Sequence, residues 1–261
     1  TGYELNLSTV NTTGALSWSS NINLSHYQNK LVDFGGTERL ISVPDPKRPN
    51  DFLAEVESPL VQYYGYVSDG EIPYSAHNTT WPVSGSTDFV FAKDLNDDGV
   101  IDENDKTVLG NPYPSLTWGF TNTLQYKRLD LSVTLLGSHG AEIFNIDPYY
   151  ENSQYVNENI SGFDLTDAEK SRLVVRSQSD FNVMDASYFS VRNLTLGYNL
   201  PSSLFEKLNL SDLRVYFTGT NLLFITAQDY NGFNPEATTE ATTFSGTFTN
   251  NPLVTGYQRG A

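Results

Sequence analysis

Six stretches of this 261-residue chain alternate apolar and polar residues with a period of two. This alternation restricts the possible folds more than any other feature, because a period of two is typical of β-strands whose faces differ chemically. The clearest stretch covers residues 115–126. One face is interrupted only by Asn122 and otherwise consists of Leu116, Trp118, Phe120, Leu124 and Tyr126. The other face carries only hydroxyl, amide and glycine residues, so the chain is predicted to be all-β.

The other five stretches repeat this pattern at lengths that suit a membrane-spanning strand. We expect strands near residues 3–8, 16–25, 131–136, 193–200 and 212–226. Strands of about ten residues, apolar outside and polar inside, are what a barrel around a water-filled lumen requires. A strand of a soluble sandwich can show the same alternation with its polar face in water. The alternation alone therefore leaves both architectures open.

The lengths of the links between strands favour the barrel. Short links are expected at residues 11–14, 127–130 and 201–211, and long ones at 28–113, at 139–186 and after 226. Short and long links alternate, as do the periplasmic turns and extracellular loops of outer-membrane barrels. Six strands cannot close a barrel, since about eight are needed. We therefore expect an antiparallel transmembrane β-barrel of which this chain is a part.

Composition excludes several classes of function. With 15 Lys and Arg against 31 Asp and Glu, the net charge of −16 argues against a nucleic-acid partner. The chain has no Cys, which excludes disulfides, thiolate zinc sites and a cysteine nucleophile. Its three histidines, His26, His77 and His139, are too widely separated in sequence to suggest an imidazole-rich metal site. No apolar run approaches the roughly 20 residues of a transmembrane helix.

The most specific local motif is the acidic segment 94–105, which fits the twelve-residue calcium loop. Asp94, Asn96 and Asp98 are spaced as alternating oxygen donors, and Gly99 allows the sharp turn. Ile101 is the expected apolar anchor. The predicted Ca²⁺ ligands are the side chains of Asp94, Asn96, Asp98, Asp102 and Asp105 and the backbone carbonyl of Val100.

Two departures from the usual calcium loop indicate a structural rather than a sensing role. Asp105 stands where Glu is usual, and no amphipathic helix is expected on either side, because residues 89–91 predict a strand and Pro112 and Pro114 follow. We expect a structural clip with a dissociation constant around 10⁻⁴–10⁻³ M. The alternative is an Asx-rich turn that binds no metal.

Several segments resemble the C-terminal barrel of SusC/RagA-type TonB-dependent transporters. One specific block runs from Asp94 through the Gly-Asn-Pro-Tyr-Pro segment at 110–114 to Gly137-Ser138-His139-Gly140. The second specific block comprises residues 185–201, 213–216, 220–223 and 232–236. A weaker match covers residues 2–5 with Trp18 and Asn21.

The resemblance implies an outer-membrane barrel of about 22 strands that encloses an N-terminal plug. It also implies import of oligosaccharides or peptides in a Gram-negative bacterium, driven by TonB and assisted by a SusD-like surface lipoprotein. Residues 1–261 would form wall and exterior loops, roughly strands 16 to 21, without the last strand or the plug. The expected function is that of a transporter, not an enzyme.

Two alternatives remain open from the residues themselves. One is a secreted, calcium-stabilised β-sandwich that binds carbohydrate or peptide. The other is a glycosidase-like enzyme, because a catalytic carboxylate pair can hide among many Asp and Glu residues. The segment 164–174 predicts a short structural helix, in which Thr166 caps the N-terminus and Glu169 follows three residues later.

Overall fold

In the computed structural model, the described residues form fifteen β-strands, numbered here in chain order. The model describes residues 1–42, 51–71, 89–144, 165–175, 178–204, 213–230 and 235–236. Within these ranges helix is confined to α1 (Asp167–Lys170) and to 3₁₀ turns at Glu103–Asp105, Asp180–Asn182 and Ser202–Leu204. None of the described helices is long and apolar enough to cross a bilayer.

The chain divides into two compact units. The first, which we call the wall unit, comprises residues 1–28, 114–140 and 186–228. The second, the loop unit, comprises residues 29–113, 141–185 and 229–261. The loop unit thus corresponds closely to the three long links that the sequence predicts.

The wall unit is one six-stranded antiparallel sheet with the strand order β1-β2-β9-β10-β14-β15. Its strands are β1 (Gly2–Thr12), β2 (Leu16–Tyr27), β9 (Leu116–Tyr126), β10 (Leu129–His139), β14 (Tyr188–Asn199) and β15 (Arg214–Thr226). All six predicted stretches are confirmed as strands. Lys127 and Arg128 alone connect β9 to β10, and Lys127 has a φ of 54°.

The register keeps the two predicted faces continuous across the sheet. Ile22, Phe120 and Leu135 are paired in one row, and the adjacent row pairs Asn21, Thr121 and Thr134. We call these two surfaces the apolar face and the polar face. Because side chains alternate along every strand, this register places all six apolar sets on the same side.

The apolar face is exposed rather than packed against a second sheet. The exposed fraction is 53% for Leu5, 60% for Val215 and 61% for Phe217. In a β-sandwich these side chains would lie in the sealed interior between the sheets. The exposure therefore contradicts the sandwich alternative and fits a surface that meets hydrocarbon.

Asn122, the exception in the apolar pattern, belongs to a small hydrogen-bonded cluster. Its Oδ1 accepts hydrogen bonds from Trp18 Nε1 at 2.9 Å and Ser20 Oγ at 2.8 Å. Asn11 Nδ2 in turn donates to Ser20 Oγ at 2.8 Å. Polar side chains that satisfy one another in this way are tolerated on a face turned to lipid.

The polar face is linked by hydrogen bonds between neighbouring strands. Asn21 Nδ2 donates to Ser8 Oγ at 2.7 Å, and the hydroxyls of Thr121 and Thr134 lie 3.2 Å apart. One ion pair spans three strands, since Arg214 Nε on β15 lies 3.2 Å from Asp130 Oδ1 on β10. Gly197 of the intervening β14 leaves room for it, because a Cβ there would collide with both charged groups.

The described residues of the loop unit form three small sheets. The first joins β3 (Arg39–Ser42), β4 (Asp51–Glu55), β5 (Gln62–Tyr66) and β8 (Lys106–Gly110). The second joins β6 (Ser68–Glu71), β7 (Phe89–Ala92) and β12 (Leu173–Val175), and the third pairs β11 (Glu142–Phe144) with β13 (Val183–Asp185).

The predicted cap of α1 is confirmed: Thr166 Oγ1 accepts from Glu169 N, and Glu169 Oε2 accepts from Thr166 N.

Two apolar clusters lie among the described residues of the loop unit. One contains Phe52, Tyr63 and Phe144. The other, which we call the β7 cluster, contains the buried residues Tyr66, Val90, Ala92 and Val174. Both clusters combine residues from different sheets and so connect segments that are distant in sequence.

Leu124→Arg in the complete barrel should reduce the free energy of unfolding by about 2–4 kcal/mol if this side chain meets lipid near the midplane. Leu124 lies on the apolar face between Trp18 and Leu131. Val133→Arg should have a similar effect. Urea titration in lipid vesicles measures the change.

The matched control is Thr123→Arg, because Thr123 immediately precedes Leu124 but lies on the polar face, between Ser19 and Ser132. It should change stability far less. An equal loss in both variants would show that the faces are wrongly assigned.

Candidate calcium-binding loop

The acidic segment 94–105 lies between β7 and β8 and ends in the 3₁₀ turn Glu103–Asp105. The strand expected before it is confirmed as β7, and a strand rather than an α-helix follows. The loop reverses direction through Asp97 and Gly99, whose φ angles are 58° and 83°. Such positive φ angles favour Gly and are tolerated by Asp, so the backbone matches the motif.

In the first half of the loop, side-chain oxygens accept hydrogen bonds from nearby backbone N–H groups. Asn96 Oδ1 accepts from Asp98 N at 3.0 Å, and Asp98 Oδ1 accepts from Val100 N at 2.8 Å. Asp94 Oδ2 reaches farther and accepts from Gly99 N at 2.7 Å. These bonds fix the three predicted donors to the backbone of the loop.

In the second half, Asp102 and Asp105 close the loop. Asp102 Oδ1 caps the 3₁₀ turn by accepting from Asn104 N at 2.7 Å. Asp105 Oδ2 accepts from Asp102 N at 2.9 Å, and its Oδ1 accepts from Leu95 N at 2.8 Å. Asp105 therefore ties the end of the loop to its beginning.

Asp105 is fully buried, with an exposed fraction of 0%. The pKa of Asp105 is below its usual value, mainly because its carboxylate accepts a hydrogen bond from the N–H of Asp102. Burial acts in the opposite direction and raises the pKa, whereas the hydrogen bond from the N–H of Leu95 lowers it further. A carboxyl group with a lowered pKa remains ionised at neutral pH. The loop thus contains a buried negative charge.

Asp94 supplies a second carboxylate beside this charge, and one of its oxygens has no partner. Asp94 Oδ1 is a buried atom without a hydrogen bond, and the Asp94 side chain lies within hydrogen-bonding reach of Asp105. Carboxylate oxygens accept hydrogen bonds and cannot satisfy one another. A cation bound between them would satisfy both, so this unpaired oxygen fits a metal ligand.

The predicted ligands include neutral oxygen atoms as well as carboxylates. Within the described residues, no three Asp, Glu or His side chains converge as a group that could hold a metal ion. A cation in the loop would therefore also need neutral oxygens, for which the Asn96 amide and the Val100 carbonyl are the predicted donors. Oxygen donors of this mixed type suit Ca²⁺.

The loop is anchored to the β7 cluster at two points. Ile101 packs against that cluster, as the motif predicts. Lys106, whose side chain is only 4% exposed, forms an ion pair of 2.8 Å with Glu103 Oε1. Its Nζ also lies 5.3 Å from the centroid of the Tyr66 ring. The sequence pattern did not predict a role for this lysine or the cap formed by Asp102, although Asp102 followed three residues later by Asp105 resembles a capping box.

Ile101→Ala should reduce the local stability of segment 89–110 by about 1–3 kcal/mol, because it removes a partly buried side chain from the β7 cluster. Hydrogen exchange of the backbone amides measures the change. Val100→Ala is the control, since Val100 is the preceding residue and is 58% exposed. Equal effects of the two substitutions would contradict the assignment of Ile101 as the anchor.

Comparison with known proteins gives no matching family model. The chain is 33% identical over 254 residues to TonB-dependent receptor P3 of Formosa agariphila, an alignment that covers 90% of this chain and 25% of the receptor. It is 31% identical over 156 residues to TonB-dependent receptor SusC of Bacteroides thetaiotaomicron, which covers 55% of this chain and 15% of SusC. The chain thus spans about a quarter of the length of the first of these relatives.

Solved structures show the same fold. The RagAB peptide importer in its open-open state matches with a TM-score of 0.62 and 20% identity, over 90% of this chain and 26% of the matched chain. Its closed-closed state matches with a TM-score of 0.60 and 19% identity. The likeness thus covers most of the chain in two states of one transporter.

The sequence similarity, the fold and the two-faced sheet agree with one another. The six antiparallel strands form part of a transmembrane β-barrel, and the predicted fold class is confirmed. This chain is therefore similar, over most of its length, to the barrel of TonB-dependent receptors of the SusC type, and it shares its fold with part of the RagAB importer.

Proposed function

We propose that the complete protein imports nutrients across the outer membrane of a Gram-negative bacterium, with this chain as barrel wall and exterior loops. The observation that carries the proposal is the wall sheet, whose six strands all present one apolar and one polar face. A barrel built in this way separates lipid from an aqueous lumen. The relatives named as TonB-dependent receptors support the same function.

The partners follow from this proposal. TonB would energise transport through a plug inside the complete barrel, and a SusD-like lipoprotein would capture substrate at the exterior loops. The substrate would be an oligosaccharide or a peptide. The similarity to SusC and the fold shared with the RagAB peptide importer support these partners and substrate classes.

Uptake by whole cells tests the import function. Cells with the complete protein should accumulate a fluorescent pool of either oligosaccharides or peptides, because a TonB-coupled barrel concentrates its substrate. Deletion of its gene or loss of TonB should abolish that accumulation. Unchanged uptake of both pools in the deletion strain would contradict the proposal.

We also propose that segment 94–105 binds a structural Ca²⁺ ion through Asp94, Asn96, Asp98, Val100, Asp102 and Asp105. The unpartnered Asp94 Oδ1 beside the buried Asp105 carboxylate supports the site. The ion would neutralise these charges and hold the loop against the β7 cluster. An affinity around 10⁻⁴–10⁻³ M would suit such a clip outside the cell.

Limited proteolysis of the detergent-purified protein tests the calcium site. Calcium should protect the exposed Lys93 from trypsin, and a chelator should speed cleavage there. Asp94→Asn should give rapid cleavage in both conditions while the barrel remains folded, and Asp94→Ala or Asp98→Ala should loosen the loop similarly.

Asp97→Asn is the matched control, because it removes a charge from the same loop at a position that is not a predicted ligand. Asn also tolerates the positive φ of this residue. The control should behave like the wild type. Equal cleavage of the wild type with and without calcium would contradict the site.

A further inference from the structure

The pairing of β14 and β15 is irregular at one point, and the side chains on the polar face of the wall sheet differ on the two sides of this point. The register shifts between Val191 and Asn193, which leaves Arg192 in a bulge. Asn221 on β15 has a φ of 52°, and its Oδ1 accepts from Arg192 Nη1 at 3.0 Å. A bulge of this kind re-aims the side chains that follow it and often lies next to a functional site.

The two sides of the bulge carry different side chains on the polar face. Toward the Lys127–Arg128 turn, Thr195 and Thr218 pair, and their hydroxyls lie 3.1 Å apart. Toward the long links, the same face presents Leu136, Tyr188 and Phe224 beside the hydroxyl residues Ser138, Ser190 and Thr226. We call Leu136, Tyr188 and Phe224 the aromatic step. The stacked rings of Tyr188 and Phe224 set this part of the face apart, since Tyr216, which is also on the polar face, lies opposite Gly197.

The rings of the aromatic step are stacked and remain partly exposed. The centroids of Tyr188 and Phe224 are 4.8 Å apart, and the ring planes differ by 20°. Tyr188 pairs with Thr226, and Phe224 pairs with Ser190, so the two rings meet diagonally across the strands. Ser190 lies on the same face with a buried hydroxyl that has no hydrogen-bond partner among the described residues.

The charge of the polar face limits the ligand that suits this step. Apart from Arg192 in the bulge, its charged residues are Glu4 and the mutually paired Asp130 and Arg214. The rest of the face consists mainly of hydroxyl and amide side chains. A peptide with charged ends would find few opposite charges here, whereas an uncharged sugar can hydrogen-bond to hydroxyls and amides throughout. The apolar C–H face of a sugar ring can also pack on aromatic rings.

We propose that the aromatic step is a subsite for a sugar ring of an uncharged oligosaccharide. This inference rests on the proposed import function and assigns the substrate class within it. The ring packs on the exposed surface of the Tyr188–Phe224 pair, and its hydroxyls bond to neighbouring hydroxyl and amide groups of the polar face.

Uptake by cells that carry the complete transporter tests the subsite. The probes are a panel of fluorescent uncharged oligosaccharides and, separately, a panel of fluorescent peptides. Phe224→Leu and Tyr188→Leu should raise the oligosaccharide concentration for half-maximal uptake by about two- to tenfold, the range of one aromatic contact. Phe224→Tyr keeps the aromatic ring and should retain wild-type uptake. A general packing role for residue 224 does not require this result.

Phe217→Leu is the matched control, because it removes a ring from the apolar face of β15 and should leave uptake unchanged. Wild-type cells that take up neither panel would overturn the import function itself. Uptake of peptides alone would overturn the sugar subsite but leave import intact. Equal oligosaccharide uptake by wild type and Phe224→Leu would also overturn the subsite.

Discussion

The constraint on which the wall depends is that backbone N–H and C=O groups in hydrocarbon must be paired within the protein. The four inner strands of the wall sheet meet this requirement, because each is bonded to a neighbour on both sides. In the described part of the chain, β1 pairs only with β2 and β15 only with β14. These two edges require further strands in the membrane, so the same constraint that orders this sheet also makes it a segment of a larger barrel.

The same requirement explains the exceptions to the two-faced pattern. Asn122 is tolerated on the apolar face because Trp18 and Ser20 donate to its carbonyl oxygen. Gly137 is needed there because the Trp118 indole occupies the space where a Cβ would lie. The Trp118 Nε1 is satisfied by His139 Nε2 at 3.1 Å. Residues that interrupt a strand pattern are thus explained by neighbours on adjacent strands.

The long links of the loop unit are ordered by other interactions. Their described residues form small sheets, two apolar clusters and hydrogen bonds between side chains and nearby backbone groups. The acidic loop combines these means: Ile101 attaches it to the β7 cluster, while Asp105 joins its two ends. The buried Asp94 Oδ1, which has no hydrogen-bond partner, and the buried Asp105 carboxylate support the proposed cation.

The sequence by itself determined the six strands, their faces, the short and long links and the twelve-residue acidic loop, because each depends on local spacing. It also placed the Ile101 anchor and the Thr166 cap. Only the tertiary structure decided which rows of residues meet. The Asp130–Arg214 pair over Gly197, the Tyr188–Phe224 stack beyond the bulge and the unpartnered oxygen of Asp94 all depend on register or on contacts between distant segments. A period of two gives the face of a residue but not its partner, since register is fixed by pairing along whole strands.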